Sequence, residues 1–501
     1  LSLNKKRQPP PTTNISMFLS TRVSALCGLM PRSALRSGCP GSERHFCTAS
    51  SPPSAPSPRG SVYIPPRSSV ATAVSLQPQR SFAASSNSWF RARPRPHVSE
   101  EVLNHWAKFT ATPLTLGEMQ DFGLEPDLDT VRESALFLMN EIPVRLSQMA
   151  KDLECLPANL FATDPVRLVH GWYLTSLSEF INMHGKEMKT KEELDAFTTV
   201  VRNTLTRHAP VVPMLTRGIL QVKEEIGVDK IPPAITHFLD RFHMSRIAIR
   251  MLLSQHSEMW VDVSASEKPN SDWVGIIERN CKPADIARDA AVNASNLCMQ
   301  VYASTPQVDV IQANKLGDVC FSYVPSHLYH IIFELLKNSL RATVEHHGVD
   351  YPAVSHRDFP RVKVIISQGE HDVSIKVADQ GGGIARAHMR NLFDYLFTTA
   401  PTPDLDTLSD MNHAPLAGLG YGLPLSRVYA NYFGGDLKLV SLEGYGTDAY
   451  VHLNYAQEQK REQLPSYSHI HQPREEVVWE KDPNSNKNSA GHLSKPSKSS
   501  N

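Results

Sequence analysis

Residues Pro325 to His347, PSHLYHIIFELLKNSLRATVEHH, combine an apolar face broad enough to be buried with a polar stripe that burial would penalise. Leu328, Ile331, Ile332, Leu335, Leu336 and Leu340 recur at helical spacing, which predicts an amphipathic helix. His330, Glu334, Asn338 and Arg341 follow one another at steps of four, four and three, so they share one face of it. Ser326, after Pro325, is the expected N-cap. Alone, the stretch reads most simply as a core helix with one wet face.

Two glycine-rich segments downstream change that reading. Val373, Ile375 and Val377 alternate with Ser374, Lys376 and Ala378, which predicts a half-buried strand. The chain leaves it on Asp379 and runs through Gln380 into Gly381, Gly382 and Gly383, where backbone can approach a ligand closely. An aspartate there can accept a hydrogen bond from an exocyclic amine such as that of adenine. The other segment is Gly418-Leu419-Gly420-Tyr421-Gly422-Leu423-Pro424, ahead of a helical run from Leu425. Glycines before a helix N-terminus expose N–H groups and the positive dipole end, which suits a phosphate chain. It is not a P-loop, since no Lys-Ser/Thr pair follows, and it lacks the dinucleotide-binding spacing.

The order Glu-x3-Asn, Asp-x-Gly-x-Gly, Gly-x-Gly-x-Gly resembles the ATP-binding (GHKL, Bergerat-type) fold of DNA gyrase, the heat-shock chaperone ATPase, mismatch-repair ATPases and bacterial sensor kinases. The segments FELLKNSLRAT, ADQGGGI, LFTTAPTP, AGLGYGLPLSR and SLEGYGTDAYV look like the mitochondrial pyruvate dehydrogenase kinases nearly residue for residue. The likeness extends upstream through EIPVRLSQM, HGWYLTSL and FLDRFHMSRIAIRMLLSQH, and covers roughly residues 100 to 455.

The length of 501 residues suggests two or three domains. Net charge is zero, yet residues 1–99 hold thirteen Lys or Arg and one acid, Glu43, leaving 38 basic against 50 acidic residues elsewhere. A basic tail can bind nucleic acid, but this one is Arg- and Ser-rich, acid-poor and scattered with Pro. It reads as a mitochondrial transit region, a disordered leader, with no nucleic-acid partner expected. Met17 is the first methionine and the expected start, with residues 1–16 as upstream read-through. No apolar run is long enough to span a membrane. The seven cysteines form no Cys-x-x-Cys pair, so neither a disulfide framework nor a zinc site is expected.

Helical spacing marks Thr130–Asp152, Asp164–Met183, Lys191–Thr206 and Pro233–Trp260, with Asp164-Pro165 as a helix opening. Four long helices with short connections predict an antiparallel four-helix bundle, a regulatory domain over residues 100–265. Ser264 to Asp272 reads as a hinge. An α/β sandwich with a mixed sheet is expected over 275–456, opening with a helix at Pro283–Tyr302. It continues with a hairpin of Val362–Ile366 and Val373–Val377, then strands near Leu437–Leu442 and Ala449–Leu453. Residues 457–501 are a polar C-terminal tail expected to end in disorder.

What the resemblance implies can be set on these residues. Glu334 is the candidate general base, since a kinase must take the proton of an attacking hydroxyl. His330, one turn earlier, either tunes that carboxylate or is a structural partner. Asn338 offers a neutral oxygen suited to Mg²⁺ beside the phosphates of ATP. Asp379, with Gly381 and Gly383, is expected to recognise adenine, and Thr447 to make a second contact. Thr398 and Thr399 match a ligand-contacting pair. Gly418, Leu419, Gly420, Tyr421, Gly422 and Leu423 are the expected phosphate loop, and the loop between Thr399 and Gly418, which contains residues 401–413, a nucleotide lid. Arg341 and Lys337 are candidate phosphate contacts, Lys337 being equally readable as solvated. Tyr173, Ser176, His208, Arg246 and Arg250 match the family's pocket for pyruvate-like acids. That pocket departs from the pattern at Leu205, where the family usually carries Arg. The C-terminal Asp-Trp pair that clasps the partner subunit is also absent, with Trp479 the only tryptophan there.

The resemblance implies a mitochondrial-matrix serine kinase, working as a homodimer, that inactivates the decarboxylase subunit of the pyruvate dehydrogenase complex using Mg-ATP. The lipoyl domain of the acetyltransferase core is the implied docking partner. The kinase of the branched-chain 2-oxoacid dehydrogenase complex and a conformational ATPase stay open as alternatives. A sensor histidine kinase is disfavoured by the lack of a His-Glu-x-x-Thr-Pro segment. Asp121-Phe122-Gly123 and His356-Arg357-Asp358 imitate ordinary protein-kinase motifs in reversed order and without their companion residues, so they are read as coincidence.

Overall fold

The computed structural model describes residues 98–228, 230–264, 272–314, 317–348, 359–399, 419–454, 460–467 and 479. The leader, the lid at 401–413, Gly418, the 356–358 triplet and most of the tail lie outside these residues.

The N-terminal region is helical: α1 (Glu100–Ala107), α2 (Leu116–Phe122), α3 (Leu128–Glu154), α4 (Ala158–Phe161), α5 (Asp164–Met183), α6 (Lys191–Arg207), α7 (Val211–Ile226) and α8 (Pro233–Ser264). Local chemistry sets the starts. Thr115 with Glu118, and Thr190 with Glu193, form reciprocal capping boxes, and Asp127 accepts from the Thr130 N–H. The α5 opening differs from expectation in one residue: Thr163 is the N-cap and Asp164 is already in the first turn. The four expected helices are all present, and α3 packs on α5 and α8 while α6 packs on α8. A further helix of 16 residues, α7, packs on α5. Pro210 is its N-cap and Pro213 lies in its first turn, where no intrahelical donor is lost.

The second region opens on strands that the sequence left unmarked: β1 (Trp273–Val274), β2 (Ile277–Cys281) and β4 (Phe321–Tyr323) form a small antiparallel sheet. Its main sheet has the order β3-β5-β6-β8-β7, with β3 (Val308–Gln312), β5 (Val362–Gln368), β6 (Asp372–Ala378), β7 (Asp436–Leu442) and β8 (Gly446–Asn454). The β3–β5 pair is parallel and the others antiparallel, so the sheet is mixed. Val364 faces Val377, and Val377 faces Ala449. These residues lie on one buried face together with Val362, Ile366, Val373, Ile375, Val451 and Leu453. Against it lie α9 (Pro283–Tyr302), α10 (Pro325–Gly348) and α11 (Gly422–Asn431). Leu328, Ile331, Ile332, Leu335, Leu336 and Leu340 of α10 are all buried, which anchors its polar stripe in a fixed direction. Ser326 is not the cap: α10 begins at Pro325, whose fixed φ suits the first helical position.

Two sets of contacts join the regions. Gln255 of α8 donates to the Val274 carbonyl (3.0 Å) and accepts from the Ile276 N–H (2.9 Å). Residues 460–467, at the start of the polar tail, are built into the fold. Glu462 is buried, pairs with Arg145 of α3 (3.0 Å), and accepts hydrogen bonds from the Leu114 N–H (3.2 Å) and from the hydroxyl of Tyr432, just after α11. Tyr467 meets Ser245 of α8 at 2.5 Å. Trp479 packs against the hydrophobic core.

Candidate nucleotide and catalytic site

The site lies where the polar stripe of α10, the end of β6 and the start of α11 converge. β6 delivers Asp379 into a pocket of donors. Its Oδ1 accepts from the N–H groups of Gly381 (3.0 Å) and Thr447 (3.2 Å), and its Oδ2 from the Ser339 hydroxyl (2.8 Å). Burial pushes the Asp379 carboxyl up from its ordinary range, while these three donors oppose the shift. Gly381 is required by close approach: a Cβ there would stand 2.6 Å from Ala342 Cβ, on α10. Gly383 also abuts backbone, that of Leu442 and Glu443. Thr447 sits beside Asp379, and its hydroxyl lies 2.9 Å from Ser441 Oγ. Ser339 carried no signal in the sequence beyond its place next to Asn338.

On the stripe, Glu334 and Lys337 form an ion pair of 2.8 Å, both largely buried. Lys337 is therefore not a solvated lysine, and its ammonium also lies 5.3 Å from the Phe333 ring centre. His330 stacks at 4.8 Å on Tyr429, and its enclosed Nε2 has no hydrogen-bond partner among the described residues. Burial, with help from Lys337 and Arg246 and against Glu334, lowers its pKa, which favours neutral imidazole. Asn338 is half-buried. Arg341 does not stand free for phosphate: it pairs with Glu345 at 2.8 Å, which also accepts from the Tyr302 hydroxyl.

The third segment brings Gly422 to the first position of α11, directly against Glu334. A Cβ on Gly422 would stand 2.5 Å from Glu334 Oε2. Gly420 lies against the backbone of Leu396 and Phe397, and its carbonyl accepts from the Leu396 N–H at 3.2 Å. Leu419 and Leu423 are partly buried against the core. The Tyr421 side chain is buried, with its ring packed 5.2 Å from Tyr395 and 5.9 Å from His243 of α8. Thr398 is half-buried and Thr399 exposed at the end of the preceding segment. Among the described residues, no cluster of three or more His, Cys, Asp or Glu could hold a metal ion by itself.

In the helical region the residues matched to an acid pocket lie close to one another. Ser176 Oγ lies 3.0 Å from His208 Nε2, and Tyr173 lies over the His208 ring at 4.5 Å. Arg207, absent from the expected set, donates to Ser176 (2.7 Å) and holds Glu179 through two bonds. Arg246 and Arg250 donate to the carbonyls of His208 (3.5 Å) and Leu205 (3.3 Å). Burial, reinforced by these three arginines, takes the His208 pKa down to about 3.

Residues 113–278 match the family model of mitochondrial branched-chain alpha-ketoacid dehydrogenase kinase. Residues 323–457 match that of the histidine kinase-, DNA gyrase B- and HSP90-like ATPases. The human pyruvate dehydrogenase (acetyl-transferring) kinase isozyme 1, mitochondrial, is 38% identical over 370 residues, 73% of this chain and 82% of that protein. Human isozyme 4 is 39% identical over 375 residues, 74% of this chain and 88% of its own length. The Drosophila melanogaster pyruvate dehydrogenase kinase is 38% identical over 375 residues, 74% of this chain and 87% of its own. With an ATPase-type half joined to a helical half of matching sequence, the chain belongs to the mitochondrial pyruvate dehydrogenase kinase family.

Proposed function

We propose that the protein is a mitochondrial-matrix serine kinase that phosphorylates the decarboxylase subunit of the pyruvate dehydrogenase complex with Mg-ATP and so inactivates it. The observation that carries this reading is the contact between Glu334 and the first residue of α11. A carboxylate able to take a hydroxyl proton adjoins a helix N-terminus suited to a phosphate chain. Lys337 holds the carboxylate in place at 2.8 Å, and neutral His330 lies one turn before it. Asp379 would take the adenine amine, with Thr447 beside it. Asn338, one turn beyond Glu334 on α10, would use its amide oxygen to join phosphate oxygens around Mg²⁺, an ion that commonly keeps few protein ligands beside a nucleotide. When bound, the ion supplies charge neutralisation on the phosphates.

The finer architecture follows the same reading. Helices α3, α5, α6 and α8 would form the four-helix bundle of a regulatory domain, residues 100–265, with residues 275–456 as catalytic domain. Residues 1–99 would be the import leader and 457–501 the tail. The acid pocket around His208 would sense pyruvate-like acids, the lipoyl domain would dock the kinase to its complex, and a homodimer would be the working unit. The name of the family model over residues 113–278 favours the branched-chain complex as a second reading.

Incubation with labelled ATP and each purified dehydrogenase separately decides among these. Label on serine of the pyruvate dehydrogenase decarboxylase is expected. Label on the branched-chain enzyme supports the second reading, and phosphate release with neither labelled supports a conformational ATPase.

A further inference from the structure

The acceptor capacity of Asp379 is almost fully spent inside the protein. Two backbone N–H groups converge on Oδ1, from Gly381 and Thr447, and a side-chain hydroxyl, from Ser339, reaches Oδ2. A carboxylate oxygen accommodates about two such bonds, so Oδ1 is satisfied and Oδ2 keeps one acceptor position. The Ser339 hydroxyl has an alternative. A serine within a helix usually turns back to the carbonyl four residues earlier, as Thr343 does here to the Ser339 carbonyl at 2.8 Å. Ser339 instead reaches across to the end of β6. That reach depends on Gly381, whose lack of a side chain lets the loop lie against Ala342 and Thr343. Ser339 is buried, and so is Asp379, so no solvent competes freely for this bond.

We infer that Ser339 is a positioning residue for base recognition, fixing the rotation of the Asp379 carboxylate so that its last acceptor position points at the exocyclic amine of the nucleotide base. The inference rests on the assignment of Asp379 as the adenine contact and goes beyond it. With both oxygens tied, the carboxylate cannot swing to suit another base edge, and a keto group in place of the amine meets an acceptor rather than a donor. Because Ser339 follows Asn338 directly on α10, the same bond ties the base end of the site to the turn of helix that carries the polar stripe.

The test compares Ser339→Ala with the native chain, using ATP and purine riboside triphosphate, which lacks the amine, in calorimetric titrations. Alanine is a good helix former, so the variant should fold. The native chain should bind ATP more tightly than the amine-free nucleotide by about tenfold or more. In Ser339→Ala the ATP affinity should fall by about five- to tenfold while the amine-free nucleotide changes by less than about twofold, as expected when a preorganised charged acceptor is loosened. Equal loss for both nucleotides would make Ser339 a scaffold residue, and unchanged ATP affinity would remove its role; either overturns the inference while leaving Asp379 in place. A native chain that does not distinguish the two nucleotides overturns the adenine assignment itself, and the role of Ser339 with it.

Discussion

Glu334 and Gly422 touch: the carboxylate Oε2 occupies the space that any side chain at 422 would need, 2.5 Å from an ideal Cβ. The contact gives a direct way to move the candidate base without removing it. Gly422→Ala crowds only the far end of a flexible side chain, so Tm should shift by no more than about 3 °C. Turnover should fall by about 10–100-fold, because a displaced base loses reach to the hydroxyl. Native turnover in a well-folded Gly422→Ala protein would show that the contact has no catalytic meaning.

Removing the base gives a different signature. Glu334→Gln keeps the size and hydrogen bonding of the side chain, so phosphorylation should drop by about 10²–10⁴-fold while ATP affinity stays within a few-fold. Asn338→Ala should lose Mg-dependent ATP affinity and turnover together. Steady-state kinetics beside titration calorimetry separate the two, and a Glu334→Gln enzyme working at the native rate would place the base elsewhere.

Leu205 stands beside the proposed acid pocket, at the position where the resemblance places arginine, and its carbonyl already accepts from Arg250. His208 is neutral there, so positive charge comes from the arginines alone. Inhibition by pyruvate or dichloroacetate should be weak, and Leu205→Arg should strengthen it by about one to two decades through a charge-assisted bond worth roughly 1.5–3 kcal/mol. Strong inhibition of the native chain would contradict the role given to this position.

Four buried histidines make the fold acid-sensitive. Burial takes His208, His243, His256 and His327 from 6.5 to about 3. The unfolded chain binds protons at these rings below about pH 6.5 while the folded chain refuses them down to about pH 3, so stability is full above 6.5 and declines as pH falls through that window. Each ring contributes up to about 1.4 kcal/mol per pH unit. Thermal unfolding should show Tm dropping by more than about 8 °C between pH 7.5 and 5.5. His256→Gln should make that slope shallower, and a flat profile would exclude the effect.

What the sequence made legible was what repeats locally. Helix α10 and strands β5 to β8 lie where periodicity placed them, because each buries one regular face. The small sheet escaped notice since β1 has two residues and β4 three, too few to show a period. The site showed the same division. Glu334, Asp379 and Gly422 were marked by motif spacing, whereas Ser339, Arg207 and the Glu334–Lys337 pair depend on how side chains turn in three dimensions. Tyr421 was marked by its place among glycines, while the packing of its ring on Tyr395 carried no signal in the sequence.

The buried knot of Arg145, Glu462 and Tyr432 sets a limit on how this molecule can be divided. Arg145 belongs to the helical half, Tyr432 to the nucleotide half and Glu462 to a stretch beyond both. Cutting the chain at the polar stretch 265–271 would strand a guanidinium in an apolar interior on one side and a carboxylate on the other, at a cost of about 3–5 kcal/mol for a broken buried pair. Each half leaves the other's buried charge compensated, so a cut between them should destabilise both.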